Sequence, residues 1–168
     1  MVDYSAPKPG SQQFPGQDSD MIRAILRRYK KVAMVGLSSN SNRPSYFAAT
    51  YLKDYGFEIT PVTPAYLEVM GRKSYPSLDK VPGPLEVVDI FRKPEEVPAI
   101  VDDAIRLGAK VIWMQLGVVH MASRKKALAA GLQVVMDRCM KIEHARFHGG
   151  MNVTGLRTGV ISAKRARL

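Results

Sequence analysis

The chain has 168 residues, 46% of them hydrophobic and 24% charged, which is the size and composition of one globular domain with a core of its own. A single cysteine excludes an internal disulfide framework, and no run of 18 apolar residues is present to cross a membrane as a helix. The formal charge of +10 is uneven: residues 141–168 carry half of the excess, so the body is mildly basic and suits a small polyanionic ligand as well as it suits DNA.

Residues 1–17 are rich in Pro, Gly, Ser and Gln, with neither an apolar stretch nor a basic leader. They are expected to form a flexible N-terminal arm, not a secretory signal, which points to a cytoplasmic, reducing setting. Asp18, Ser19 or Asp20 can cap a helix running to Tyr29, with Met21, Ile25 and Leu26 on one face. VAMVGL (32–37) is a continuous apolar run and reads as a buried strand. A helix from Ser45 to Tyr55 is stopped by Gly56, and FEITPV (57–62) is the second strand. EVVDIF (86–91) is the third. Pro94 opens a helix with an acidic first turn that ends at Leu107 and Gly108. KVIWMQL (110–116) is the fourth strand, residues 121–130 a short helix, and LQVVMD (132–137) the fifth strand.

Helices alternating with unbroken apolar strands predict an α/β fold: a single Rossmann-like domain over residues 18–145, with a doubly wound parallel five-stranded sheet. The expected strand order is 3-2-1-4-5. Residues 146–168 then form a basic C-terminal extension. A (βα)8 barrel needs about 250 residues and is excluded by length. In sheets of this kind the ligand lies outside the carboxyl ends of the strands, at the point where the order reverses, expected here between the first and fourth strands.

The strand ends are therefore the place to look. The first leads through Gly36, Ser38, Ser39, Asn42, Arg43, Pro44 and Ser45 into a helix N-terminus, where free N–H groups favour an anion. Arg43, Arg92, Lys93 and Arg138 add positive charge along the same edge, making a phosphate-binding rim. A dinucleotide site wants G-x-G-x-x-G in the first loop and an acid after the second strand. Only Gly36 is present, and the second strand ends Val62, Thr63, Pro64 without an acid, which counts against NAD. The P-loop pattern is also missing.

VAMVGLSSNSNRPSY, ITPVTP, VVDIFRKPEEV, AKVIWMQLGV and GLQVVMDRC, in this order, resemble the small stand-alone CoA-binding proteins, which are similar to the CoA-binding domain of the succinyl-CoA synthetase alpha subunit. The resemblance covers residues 18–145 and implies a domain that binds coenzyme A or an acyl-CoA. It implies phosphates held by the loop at 36–45, with Val62, Thr63 and Pro64 on the adenine side and Phe91, Arg92 and Lys93 beside the nucleotide. Met114, Gln115 and Gly117 would border the pantetheine arm, with Arg138 and Cys139 at the same edge. Where relatives often carry a basic residue after the Pro of the second motif, this chain has Ala65 and then Tyr66. The synthetase subunit has a further domain with a phosphorylated histidine. None of His120, His144 and His148 matches it, so the resemblance implies binding without ligase chemistry.

No catalytic triad and no metal set is readable. Asp89 and Asp137 are expected to cap or to pair with Arg92 and Arg138. Cys139 follows Arg138, whose guanidinium would lower the thiol pKa and ready it for a mixed disulfide with CoA. Two other readings are kept: an oxidoreductase using NAD(P) or FAD, and nucleic-acid binding through the basic tail. A homo-oligomer is compatible with the tail packing on a second subunit.

Overall fold

Five parallel strands, apolar on both faces, are covered by helices on each side in a computed structural model that describes residues 7–148. Of the expected extension at 146–168, residues 146–148 belong to a helix that starts at Met140, and residues 149–168 lie outside the described residues, as do the first six residues of the arm. The elements are α1 (Ser19–Arg28), β1 (Lys31–Val35), α2 (Pro44–Asp54), β2 (Glu58–Val62), β3 (Glu68–Val69), β4 (Arg72–Lys73), β5 (Val87–Ile90), α3 (Val97–Arg106), β6 (Val111–Met114), α4 (Met121–Ala129), β7 (Gln133–Val135) and α5 (Met140–His148). Local sequence explains the boundaries. Asp18 accepts from Met21 N–H at 2.8 Å and caps α1. Pro44 occupies the first turn of α2, where its missing N–H costs nothing.

Alternation along each strand sorts side chains onto two faces. Ala33, Val35, Val88, Ile90, Ile112, Met114 and Val134 pack under α3 and α4. Val32, Met34, Val87, Val111, Trp113 and Val135 pack under α1, α2 and α5. With both faces covered, the central strands have no polar alternation, which is why they read as unbroken apolar runs.

The five long strands run β2-β1-β5-β6-β7. In the numbering used above that is 2-1-3-4-5, which corrects the expected 3-2-1-4-5. The cause lies in the link between β2 and β5. It holds no helix that could lie beside β2. It makes the β3–β4 hairpin and a 3-10 turn at Leu78–Lys80, and drops Leu78 and Leu85 onto the Ala33 and Val35 face of β1. The link thus crosses β1 and delivers β5 to its far side, in register from Val32–Val87 to Val35–Ile90. The reversal of order falls between β1 and β5, as in other sheets of this order. The hairpin and α5 are elements that the sequence reading did not contain.

Candidate functional site

A cavity of about 880 Å³ opens at this reversal point, outside the carboxyl ends of the strands. Pro44 and Ala48 come from the start of α2, after β1. Phe91 to Glu96 follow β5, Gln115 to Val118 follow β6, and Cys139 and Lys141 follow β7. The position obeys the rule for open α/β sheets. Of the residues expected at a site, Pro44, Phe91, Arg92, Lys93, Gln115, Gly117 and Cys139 line it. Ala48, Glu95, Glu96, Leu116, Val118 and Lys141 line it too and were not anticipated. Lys141 follows the D-R-C motif by two residues, and that proximity was the available signal.

The first loop borders the cavity through Pro44. Gly36 has φ +87°, and a Cβ there would stand 2.5 Å from Phe91 O and 2.7 Å from Arg92 Cδ. Only glycine lets the β1 and β5 ends approach so closely. The loop satisfies itself in part: Ser45 Oγ accepts from Ser38 N–H at 3.1 Å, Ser38 Oγ from Asn40 N–H, and Asn40 Oδ1 from Asn42 N–H. Arg43 precedes α2 without capping it by its side chain, and no acid occupies the first turn, so the helix end stays electropositive. Ser39 is exposed in the same loop, and Tyr66 reaches it: hydrogen bonds with Ser39 and Ser38 pull the Tyr66 phenol pKa down.

Val62, Thr63 and Pro64 are not in the cavity lining; Val62 ends β2 and the other two follow it, across β1 from the cavity. Val62 is buried in the core. Thr63 is locked by Tyr75 O, Ser74 Oγ and Ala65 N–H. Met114 is fully buried beneath α3 and α4 and presents no side chain to the opening.

The basic edge divides in two. Arg92 is 43% exposed and donates to Glu96 Oε1 from Nε and Nη2, a solvent-facing pair beside the cavity. Arg138 is buried, and its guanidinium donates to Gly10 O and Gln12 O at 2.8 Å and to Asp137 O at 2.9 Å. The arm uses up the cation that the rim reading counted. Residues 10–17 accordingly lie against the body, where Gln17 exchanges two 2.8 Å bonds with Met136 and Arg124 donates to Pro15 O.

The two aspartates differ from expectation as well. Asp89 is fully buried and pairs not with Arg92 but with Gln115, whose Nε2 donates to Oδ1 at 2.7 Å; among the described residues Oδ2 has no partner. Burial pushes its carboxyl up to about 7, against the Gln115 bond, which lowers it. Because Nε2 faces Asp89, Gln115 Oε1 is left to accept from something else. Asp137 takes two backbone N–H groups, Gly10 and Gly117, each at 2.7 Å, instead of pairing with the Arg138 guanidinium.

Cys139 is buried, and that burial pushes its thiol pKa up, with Asp89 adding to the rise. The expectation of a thiol activated by Arg138 is therefore corrected: the guanidinium is turned toward the arm, and low dielectric favours the neutral S–H. Among the described residues, no group of three His, Cys, Asp or Glu could hold a metal ion, and no helix is long and apolar enough to cross a membrane.

Comparison with known proteins gives a consistent result. Residues 30–145 match the model of a family described as CoA binding domain. The chain is 36% identical over 124 residues to the protein YneT of Bacillus subtilis (strain 168), covering 74% of this chain and 92% of that one. A solved structure, a hypothetical protein from Pyrococcus horikoshii OT3, aligns with a TM-score of 0.76 at 44% identity over 80% of this chain and 96% of its own. An acetate–CoA ligase (ADP-forming) of Methanocaldococcus jannaschii is 26% identical over 133 residues, which is 74% of this chain but 19% of the ligase.

Proposed function

This chain belongs to the CoA binding domain family, and from that premise we propose that it binds coenzyme A or an acyl-CoA in the cavity at the carboxyl ends of its strands, with no ligase activity of its own. The observation that carries the reading is the cavity itself: about 880 Å³, inside the matched region and at the reversal point, with apolar walls and a lining in which three cations, Arg92, Lys93 and Lys141, outnumber two carboxylates, Glu95 and Glu96. That mixture suits a ligand with a charged phosphate end and a long, weakly polar arm.

In this reading the phosphates lie against the 36–45 loop and the start of α2, where backbone N–H groups and Arg43 supply donors. Arg92 and Lys93 hold the nucleotide side; an incoming phosphate competes with Glu96 for Arg92. Of the second-strand motif, the exposed Pro64 serves the adenine end, with Val62 and Thr63 holding it in place from the core side. The pantetheine arm runs along Gln115 and Gly117, with Gln115 Oε1 accepting an amide N–H. The ligase matched above shares only a fifth of its length with this chain, so its reaction is not carried over.

The test is thermal unfolding with CoA, acetyl-CoA, NAD, FAD and ATP at one concentration. A ligand that binds only the folded state adds about 2.7 kcal/mol at a hundredfold excess over Kd. Stabilisation by the CoA species and not by the others is the expected result. Stabilisation by NAD or FAD alone would replace it with a redox reading.

A further inference from the structure

Asp137 stands in the left-handed region, φ +56°, although it is not glycine, and is 2% exposed. A strained residue kept at a buried position has its conformation imposed by its surroundings. Here the conformation lets one carboxyl bridge two segments. Oδ1 accepts from Gly117 N–H, in the cavity wall, and Oδ2 from Gly10 N–H, in the N-terminal segment, both at 2.7 Å. The same segment is bound a second time, independently, by Arg138 through Gly10 O and Gln12 O, and a third time by Gln17 on Met136. Phe14 packs against the α3 and α4 core. Gly10 is pressed so closely on the cavity-lining Leu116 that a Cβ would stand 2.8 Å from Leu116 Cδ1.

Building on the CoA reading above, we propose that residues 10–17 are a strap that completes the ligand site, and that Asp137 is the positioning residue coupling the docked strap to the 116–118 wall. With the strap down, Leu116 is backed by Gly10 and the Gly117 peptide is held in one orientation. With the strap off, Asp137 loses one of its two partners and Leu116 loses its backing. A ligand that rests on the ordered wall favours the docked strap, and by reciprocity the docked strap strengthens ligand binding by the same factor.

The experiment uses the full chain, Asp137→Asn and Gly10→Val, with CoA as the probe. Asparagine tolerates the left-handed conformation, so Asp137→Asn leaves the backbone alone. Its amide can accept only one of the two N–H groups and sets its own NH2 against the other. Gly10→Val acts from the outer side: with φ +82° and Leu116 in the way, valine drives the strap off without touching the core. Two quantities are read: CoA affinity by calorimetry, and amide exchange of the 8–17 peptide with and without CoA. The emission of Trp113, whose indole N–H donates to Arg138 O at 2.7 Å, checks that the β6–β7 end is intact.

The expected result is that CoA slows exchange in the 8–17 peptide of the unsubstituted chain, that each variant binds CoA about tenfold more weakly, and that the slowing is lost in both. Saturating CoA that leaves strap exchange unchanged overturns the proposal, as does unsubstituted affinity in a Gly10→Val protein whose strap exchanges freely. Failure of the full chain to bind CoA at all is a different result: it overturns the reading on which the strap proposal rests.

Discussion

The ends of β5 and β7 are built from the same residue types and used in opposite ways. Each has a buried aspartate and, within three positions, an arginine. After β7, Asp137 has both oxygens satisfied by backbone N–H groups and Arg138 spends its guanidinium on three carbonyls. Near the end of β5, Asp89 leaves one buried oxygen without a partner among the described residues, and after the strand Arg92 is turned to solvent with an exchangeable partner, Glu96. One end is scaffold and the other is left open for a ligand. Residue type did not separate them. What separated them was the supply of internal carbonyl and N–H groups, and the N-terminal segment brought that supply to β7 alone.

Substitutions can break this contrast in a graded series. Asp137→Ala strands two N–H donors, each worth about 1–3 kcal/mol when left unsatisfied. It should cost about 3 kcal/mol in urea unfolding, the largest effect of the set. Arg92→Ala should do the reverse: CoA binding weaker by about 2 kcal/mol in calorimetry, as for a lost hydrogen bond to a charged group, with unfolding changed by less than about 1 kcal/mol because the ion pair is exposed. Equal effects of Asp137→Ala and Arg92→Ala on folding would erase the distinction.

Asp89→Asn should be nearly silent below about pH 4, within about 1 kcal/mol, since the carboxyl is then protonated in the folded and the unfolded chain and asparagine can also accept from Gln115; toward pH 7 it should become stabilising, because asparagine takes up no proton on folding. Its effect is on the pH profile. Asp89 goes from an ordinary 3.8 to about 7 in the folded state. Between pH 4 and 7 the folded protein therefore holds a proton that the unfolded chain has lost, and stability falls as pH rises through that window. His144 works against it. Buried, with His148 and Lys30 adding repulsion, its pKa drops from 6.5 to about 4, so between pH 4 and 6.5 the unfolded chain binds the extra proton and stability rises with pH. The two limbs oppose each other in the unsubstituted protein. Burial also raises the Glu143 carboxyl, which adds to the falling side. Asp89→Asn should therefore weaken the falling limb, and His144→Gln the rising one, in urea midpoints collected across pH 4–7.

Much of this architecture was legible. Apolar runs, caps and helix-ending glycines located the five long strands and four of the helices, because those signals are local and short-ranged. Sheet order was not, because it depends on where the 63–86 link travels. Nothing periodic in that link marks Leu78 and Leu85 as the residues that bind it across β1. The site was half legible. The strand-end motifs found Phe91, Arg92, Lys93, Gln115 and Gly117, whose backbone positions follow from the topology. Arg138 misled, since a guanidinium looks alike in sequence whether it faces solvent or three carbonyls. Cys139 misled for the same reason: its neighbour in the chain is not its neighbour in space. The arm gave no sign of binding to the body, for its partners are Asp137, Arg138 and Met136, more than a hundred residues away.

Gln17 has a consequence for how the molecule meets its own copies. β7 is the outermost strand on its side of the sheet, and such a strand normally offers unpaired peptide groups that a neighbouring chain can extend. The Gln17 side-chain amide occupies both the N–H and the carbonyl of Met136, imitating the peptide unit of a sixth strand and stopping the ladder there. A Gln17→Ala protein would present an open border, and edge-to-edge association, seen as rising light scattering with concentration, would be its first symptom while the domain itself stayed folded.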